Sequence, residues 1–341
     1  MNVYYVSQAN DGCYYYRCYL PMLYNGWDGT YTSMLSEAKS AKQLTREVVR
    51  QDVVVFQRPY DDARLELIKR LKELGIKIVF DNDDTYRDLD NKMNFKTEFE
   101  RQRWFLEECL RLADMATTTT VELAKEYRQF NDNVVVLPNY IDPSDWDEPL
   151  RNEGDKIKIG FVGSVTHNAD YEHIKPLINE LADRDDVEVV VMGMRHAPKH
   201  LKRKLQSEID YWEGLGVTWV DSVSAAEYPD ALNELRLDMM LIPRRDNHFN
   251  RCKSNCKYLE AAMCEIPVIG QGFSDGGSPY DNTPHLVVAT DLASWRKEVY
   301  KMLGDKEHRR EIGAKARKYV LENYNIEDHY HLWEETYKKL V

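Results

Sequence analysis

The sequence predicts an α/β chain built as two parallel-sheet domains in tandem. Three observations carry that prediction. Short apolar runs rich in Val and Ile alternate with amphipathic stretches of helical period, and the series occurs twice. Residues 138–156 (PNYIDPSDWDEPLRNEGDK) hold three prolines and no periodicity, so they read as a linker between the two series. At 341 residues and 43% hydrophobic content, the chain can bury two cores.

The elements follow in order. Residues 2–7 make a short strand that runs into a polar loop containing Gly12. DVVVF (52–56) is a second strand. Leu65, Ile68, Leu71 and Leu74 recur on one face, so 61–74 is a helix, which Gly75 ends. KIVF (77–80) is the next strand, and strand–helix–strand implies a parallel pair. Helix 97–112, strand 115–117, a helix over 121–127 capped by Thr119 or Thr120, and strand 134–137 complete the first series. Beyond the linker come strand 158–162, helix 170–182, strand 187–192, helix 199–214 and strand 217–220. Helix 225–235, strand 238–242, helix 254–264 and strand 268–269 follow, then helices over 292–303, 306–322 and 326–340. The expected limits are 1–145 for the first domain, 146–325 for the second and 326–341 for a terminal helix. If the carboxyl ends of the two sheets face each other, a ligand can bridge the cleft between them.

The net charge is −12, and both halves are acidic when the chain is split near residue 150. That argues against a general electrostatic grip on nucleic acid or an anionic membrane, and leaves room for a local basic groove. Six cysteines (13, 18, 109, 252, 256, 264) form no CxxC pair, and the histidines match no zinc spacing. Reduced cysteines are therefore expected. No apolar run approaches the ~20 residues a spanning helix needs. The N-terminus lacks the regions of a signal peptide. A cytoplasmic location is the expectation, host cytoplasm for a virus-encoded chain.

Five constellations carry chemistry. The first is 250–272, NRCKSNCKYLEAAMCEIPVIGQG. Lys253, Ser254 and Asn255 lead into a helix bearing Lys257 and Glu260. Helix N-termini and lysines suit phosphate, and a carboxylate accepts hydrogen bonds from ribose hydroxyls. The second is the strand-to-helix loop Gly163, Ser164, Thr166, His167, either a phosphate cradle or a plain capped turn. The third is Gly12 with Arg17 beyond the first strand, a close backbone approach and a charge within reach of a diphosphate, or a turn and a surface arginine. The fourth is Asp81, Asp83 and Asp84 at a strand end, three carboxylates that call for magnesium, basic partners or solvent. As cleft carboxylates, Asp83 and Asp84 are candidates for sugar binding or general base. Arg195 opens a basic run, 195–204, that is a solvated helix face or a donor and polyanion contact. All nine histidines lie at or after 167, so a base from the first domain must be a carboxylate, a tyrosine or the leaving phosphate.

GFVGSVTHNADY (160–171) and DMMLIPRRDNHFNRCKSNCKYLEAAMCEIPVIG (238–270) resemble the GT-B glycosyltransferases, in particular the retaining enzymes of glycosyltransferase family 4. The resemblance implies two Rossmann-like domains facing across a cleft, with the C-terminal helix crossing back to the first. It implies a nucleotide-sugar donor, no required metal and retention of configuration. The family's paired glutamates are half present: Glu260 matches the ribose-binding member, and Cys252 stands where the other would be. A K-S-N-x-K-x-x-E variant fits Lys253, Ser254, Asn255, Lys257 and Glu260. The basic pair expected after the first donor-domain strand is missing, so Lys253, Lys257 or Arg195 must supply the charge.

The expected function is transfer of a sugar from a nucleotide-diphosphate sugar to an acceptor hydroxyl, with Lys257 stabilising the leaving group. The acceptor is a saccharide or surface polymer, or a hydroxymethylated pyrimidine in DNA, for which 92–105 interleaves basic and aromatic residues. Two other readings share the shape: a non-catalytic nucleotide-sugar-binding protein and a sugar-nucleotide epimerase.

Overall fold

Val3–Ser7 and Val53–Gln57 are buried along their whole length, as only strands covered on both faces can be. The computed structural model describes residues 1–31, 44–89, 96–163, 165–193 and 202–341. Within them lie two six-stranded parallel sheets. The first comprises β1 (Val3–Ser7), β2 (Asp28–Tyr31), β3 (Val53–Gln57), β4 (Lys77–Asp81), β5 (Met115–Thr118) and β6 (Val134–Val136). They are ordered β2-β1-β3-β4-β5-β6. The second comprises β7 (Ile157–Val162), β8 (Val187–Met192), β9 (Thr218–Val220), β10 (Met239–Ile242), β11 (Val268–Gln271) and β12 (Val287–Ala289), ordered β12-β11-β10-β7-β8-β9.

Register sets up the first domain's rim. Ser7, Gln57, Asp81 and Thr117 stand side by side on β1, β3, β4 and β5. All four are buried at the carboxyl ends of their strands. Ser7 donates to Gln57 at 2.7 Å and Thr117 to Asp81 at 2.7 Å, so the row is tied together through side chains.

The C-terminal helices return to the first domain. Ile141 donates to the Tyr324 carbonyl and Ile326 to that of Ile141, each at 2.8 Å. Tyr337, on the helix His331–Tyr337, meets the Tyr5 hydroxyl at 3.0 Å and stacks on Trp27. Trp333 is completely buried there.

Several elements differ from the sequence reading, the strand β12 and the division of 326–340 into three short helices among them. A helix follows β1, in the pieces Gly12–Tyr14, a π-helical Tyr15–Tyr19 and Leu20–Asn25. The π turn ends where Pro21, which has no N–H to give, enters the helix. β2 is a polar edge strand with no apolar run to announce it. The stretch over 170–182 begins as a 3-10 helix, Val165–Ile174, and becomes α-helical only at Lys175–Ala182, with Pro176 in the first turn.

Candidate functional site

The second domain meets the first through the segment the sequence singled out. Lys253 pairs with Asp84 across the cleft. Asn139 donates to the Ser254 hydroxyl at 3.3 Å, and Thr120 to the Cys252 carbonyl at 2.9 Å. Asn255 reaches the Tyr324 hydroxyl at 3.5 Å. Lys253, Ser254 and Asn255 therefore line the domain junction, just ahead of the helix Cys256–Met263.

Glu260 is on that helix, at the wall of an interdomain cavity of about 320 Å³. Tyr15, Tyr16 and Gly12 from the first domain, and Ser224 and Tyr228 from the second, share the lining. The cavity is large enough for a nucleoside and rich in aromatic surface. Tyr16 donates to one Glu260 oxygen at 3.0 Å and Tyr228 to the other at 3.1 Å. Burial raises the Glu260 carboxyl above its usual range, against the pull of these hydroxyls and of Lys257. Two hydroxyl donors converging on one carboxylate is also how a ribose diol would bind it. Beyond its chain neighbours and its own helical turn, no atom lies within 4 Å of where a Cβ on Gly12 would sit, and the residue lines the cavity.

One turn earlier, Lys257 points to the end of β7 and donates to the Val162 carbonyl. A side chain at Gly163 would collide with its ammonium group. Glycine there lets the charge sit against the strand end. Arg244, two residues past β10, is 4% exposed and bonds Asp170 at 3.2 Å. Asp170 also accepts from the Arg245 backbone at 3.1 Å and from Asn250 at 2.8 Å. Burial and the neighbouring Arg244 and Lys257 push His167 well below its usual pKa, so it is neutral. Lys257 is pushed down to about 7, by burial first and Arg244 second, against the pull of Glu260 and Asp170. A lysine held this way gains from an arriving anion.

The first domain's charges are arranged differently. Arg17 is completely buried and forks onto Asp81, with bonds of 3.2 and 2.6 Å. Its other nitrogen bonds the Leu137 carbonyl and, at 3.4 Å, Asn139. Arg17 therefore lies beneath the cleft floor and cannot reach a diphosphate there, which corrects the sequence reading. Arg58 bonds Asp83 at 2.8 Å and Asp84 at 2.9 Å, from a left-handed backbone (φ 51). The acidic triplet is thus met by basic partners. Asp81, fully buried on Arg17 and Thr117, cannot join a magnesium site with Asp83 and Asp84. Those two carboxylates reach the junction already paired, not as free bases.

Gly163 and His167 fall beside Lys257, whereas Ser164, Arg195 and the side chain of Thr166 lie outside the described residues. So do residues 92–95 and the side chains of 202–204 in the basic run. Arg244, Arg58, Tyr16 and Tyr228 are missing from the sequence reading. Arg244 and Arg58 each follow a clear apolar strand, the position that marks a ligand-facing rim.

Residues 173–335 match the "Glycosyl transferase-like" family model. No curated protein sequence matches the chain closely. Among solved structures, the sucrose-phosphate synthase of Thermosynechococcus elongatus is similar at TM-score 0.71 and 13% identity, over 100% of this chain and 99% of that one. HepE of Anabaena, solved with UDP and glucose, is similar at TM-score 0.71 and 11% identity, over 99% of each chain. A glycosyltransferase of Rickettsia africae gives 0.67 and 12%, over 99% of this chain and 98% of that one. The fold is GT-B. In this GT-B chain the cations Lys257 and Arg244 and the carboxylate Glu260 all belong to the second domain, and the first contributes Tyr16 and the paired Asp84. Among the described residues, no helix is long and apolar enough to cross a membrane.

Proposed function

We propose that the chain is a glycosyltransferase that moves a sugar from a nucleoside diphosphate to an acceptor hydroxyl. The observation that carries this is the convergence of Lys257 and Arg244 at the strand ends of the second domain, with Glu260 one turn away on a nucleoside-sized cavity. The family-model match over the second domain and the GT-B fold support the same reading.

In this proposal the nucleoside fills the cavity, its ribose hydroxyls take the place of the Tyr16 and Tyr228 hydroxyls on Glu260, and the diphosphate lies toward Gly163 and Lys257. As the sugar–oxygen bond breaks, charge builds on the leaving diphosphate. Fixed cations stabilise it there without reorganising, the kind of contribution worth about 3–4 kcal/mol per group. With Asp83 and Asp84 held by Arg58 and Lys253, the acceptor proton passes to the departing phosphate oxygen while the new bond forms on the same face, giving retention. A saccharide hydroxyl suits the acidic chain better than DNA.

The test is a melting-temperature screen of nucleotide sugars, uridine diphosphate sugars first, followed by turnover with saccharide acceptors and with hydroxymethylated DNA. One donor is expected to raise the melting temperature and to be consumed with transfer, its product anomer read by NMR. Isomerisation of the donor alone would make the chain an epimerase, and binding without transfer or hydrolysis would make it a non-catalytic binder.

A further inference from the structure

A second cluster joins the two domains. His248 and Cys252 are four residues apart around the short helix His248–Arg251, so their side chains share one face. Glu126, on the first-domain helix Val121–Tyr127, faces them. One donor atom from each of the three lies within 4.8 Å of the others. We propose that Glu126, His248 and Cys252 form a zinc(II) site that pins the second domain to the first.

The Cys252 Sγ lies 3.6 Å from His248 Nε2 and 3.9 Å from Nδ1, beside the ring and not along the Nε2 lone pair. A tetrahedral ion with bonds of ~2.3 Å to sulfur and ~2.1 Å to nitrogen sets Sγ and Nε2 ~3.6 Å apart, so the spacing suits zinc once the ring turns to aim Nε2 at the ion. His248 Nε2 and Glu126 Oε2 are 2.7 Å apart, a hydrogen bond whose proton the ion would replace, with the ring swinging back to ~3.4 Å from the oxygen. The ring is free to swing, because 35% of the His248 side chain is exposed, and the same opening admits ion and water. Thr85 donates to the Glu126 carboxylate at 2.6 Å and orients it, the usual outer support of a metal ligand. Sulfur, nitrogen and oxygen together select zinc over calcium or magnesium, which take oxygen alone. Water completes the fourth position; as the ion binds, the thiol proton leaves to solvent and the proton on His248 Nε2 leaves with it or is replaced by one on Nδ1. Two ligands come from one domain and one from the other, so the ion would favour the closed arrangement in which Lys253 meets Asp84.

The full-length chain, stripped with a chelator, is titrated with zinc against a chromophoric competitor and, separately, with cobalt(II). One ion per chain is expected, with a thiolate-to-cobalt charge-transfer band. Cys252→Ser should abolish the band and weaken zinc more than about 100-fold, while Cys13→Ser leaves both intact. Glu126→Gln keeps hydrogen-bonding capacity toward Thr85 and His248, so its fold is expected to survive. It should weaken zinc about 10-fold or more and remove the zinc-dependent rise in melting temperature. A band that survives Cys252→Ser, or no stoichiometric zinc at micromolar concentration with native circular dichroism, overturns the site and leaves a hydrogen-bonded domain contact.

Discussion

The two sheets present the same edge to the cleft, yet they treat charge in opposite ways. At the first rim the described charges of the strand ends are closed. Arg17 is forked onto Asp81, and Arg58 bridges Asp83 and Asp84. At the second rim Lys257 has, among the described residues, a carbonyl oxygen alone as its hydrogen-bond partner; it has Arg244, itself paired with Asp170, as a neighbour, and faces a Glu260 already taken by two tyrosine hydroxyls. One fold, used twice, thus gives a rim that is finished when it folds and a rim that an anion would finish. Closed charge reads as scaffold and open cationic charge as binding surface.

The largest effect tests the closed rim. Arg17→Met leaves Asp81 buried without its cation, which should cost about 3–5 kcal/mol of stability. A folded remainder should still bind the donor within about twofold, because Arg17 does not reach the cleft. Chemical denaturation and donor titration measure the two quantities. Normal stability combined with lost donor affinity would move Arg17 to the binding surface and erase the contrast.

Lys257→Ala tests the open rim and should behave in the reverse way. Turnover falls about 100- to 1,000-fold through lost leaving-group stabilisation. The melting temperature holds or rises, since a poorly compensated buried cation has been removed. Full turnover by this variant with every active donor would end the proposal for Lys257. Glu260→Ala is the milder case. Loss of hydrogen bonds to a charged acceptor should weaken donor binding about 10- to 100-fold, with a smaller change in kcat. Were kcat to collapse while donor affinity stayed normal, the ribose assignment would fail.

Sequence patterns made much of this visible, for reasons that differ by residue. Buried parallel strands are continuous Val and Ile runs, so β3, β4, β8 and β10 announce themselves. Glu260 and Lys257 share one helix at fixed spacing, so their company is local information. The partner of Arg17 is not: Asp81 is 64 residues away, and only sheet register brings the two together. The helix from Gly12 to Asn25 is hidden because five tyrosines and a proline give it no apolar period. The pairing of His248 with Cys252 escapes notice for a simpler reason. The helical stretch reads as starting at 254, and the helical face they share then disappears.

The smallest effect is also the one that most directly probes the open rim. Free Lys257 titrates near 7 because burial and Arg244 disfavour its charge, with Lys253 adding to Arg244 and with Glu260 and Asp170 opposing. His167 beside it stays neutral throughout. A bound diphosphate favours the ammonium, so the pKa rises on binding and the protonated protein is the tighter binder. Donor affinity should therefore be flat below about pH 7 and fall as pH rises beyond it, by about tenfold from pH 7 to pH 8 at most. The ligand must be an intact nucleotide sugar, whose phosphates hold no titrating proton in this range. Calorimetry at pH 8 in buffers of different ionisation enthalpy should register uptake of close to one proton. Lys257→Arg supplies the control, because a guanidinium stays charged and the slope should vanish even if affinity drops. A slope that persists in Lys257→Arg would assign the proton to another group and leave the second rim no more open than the first.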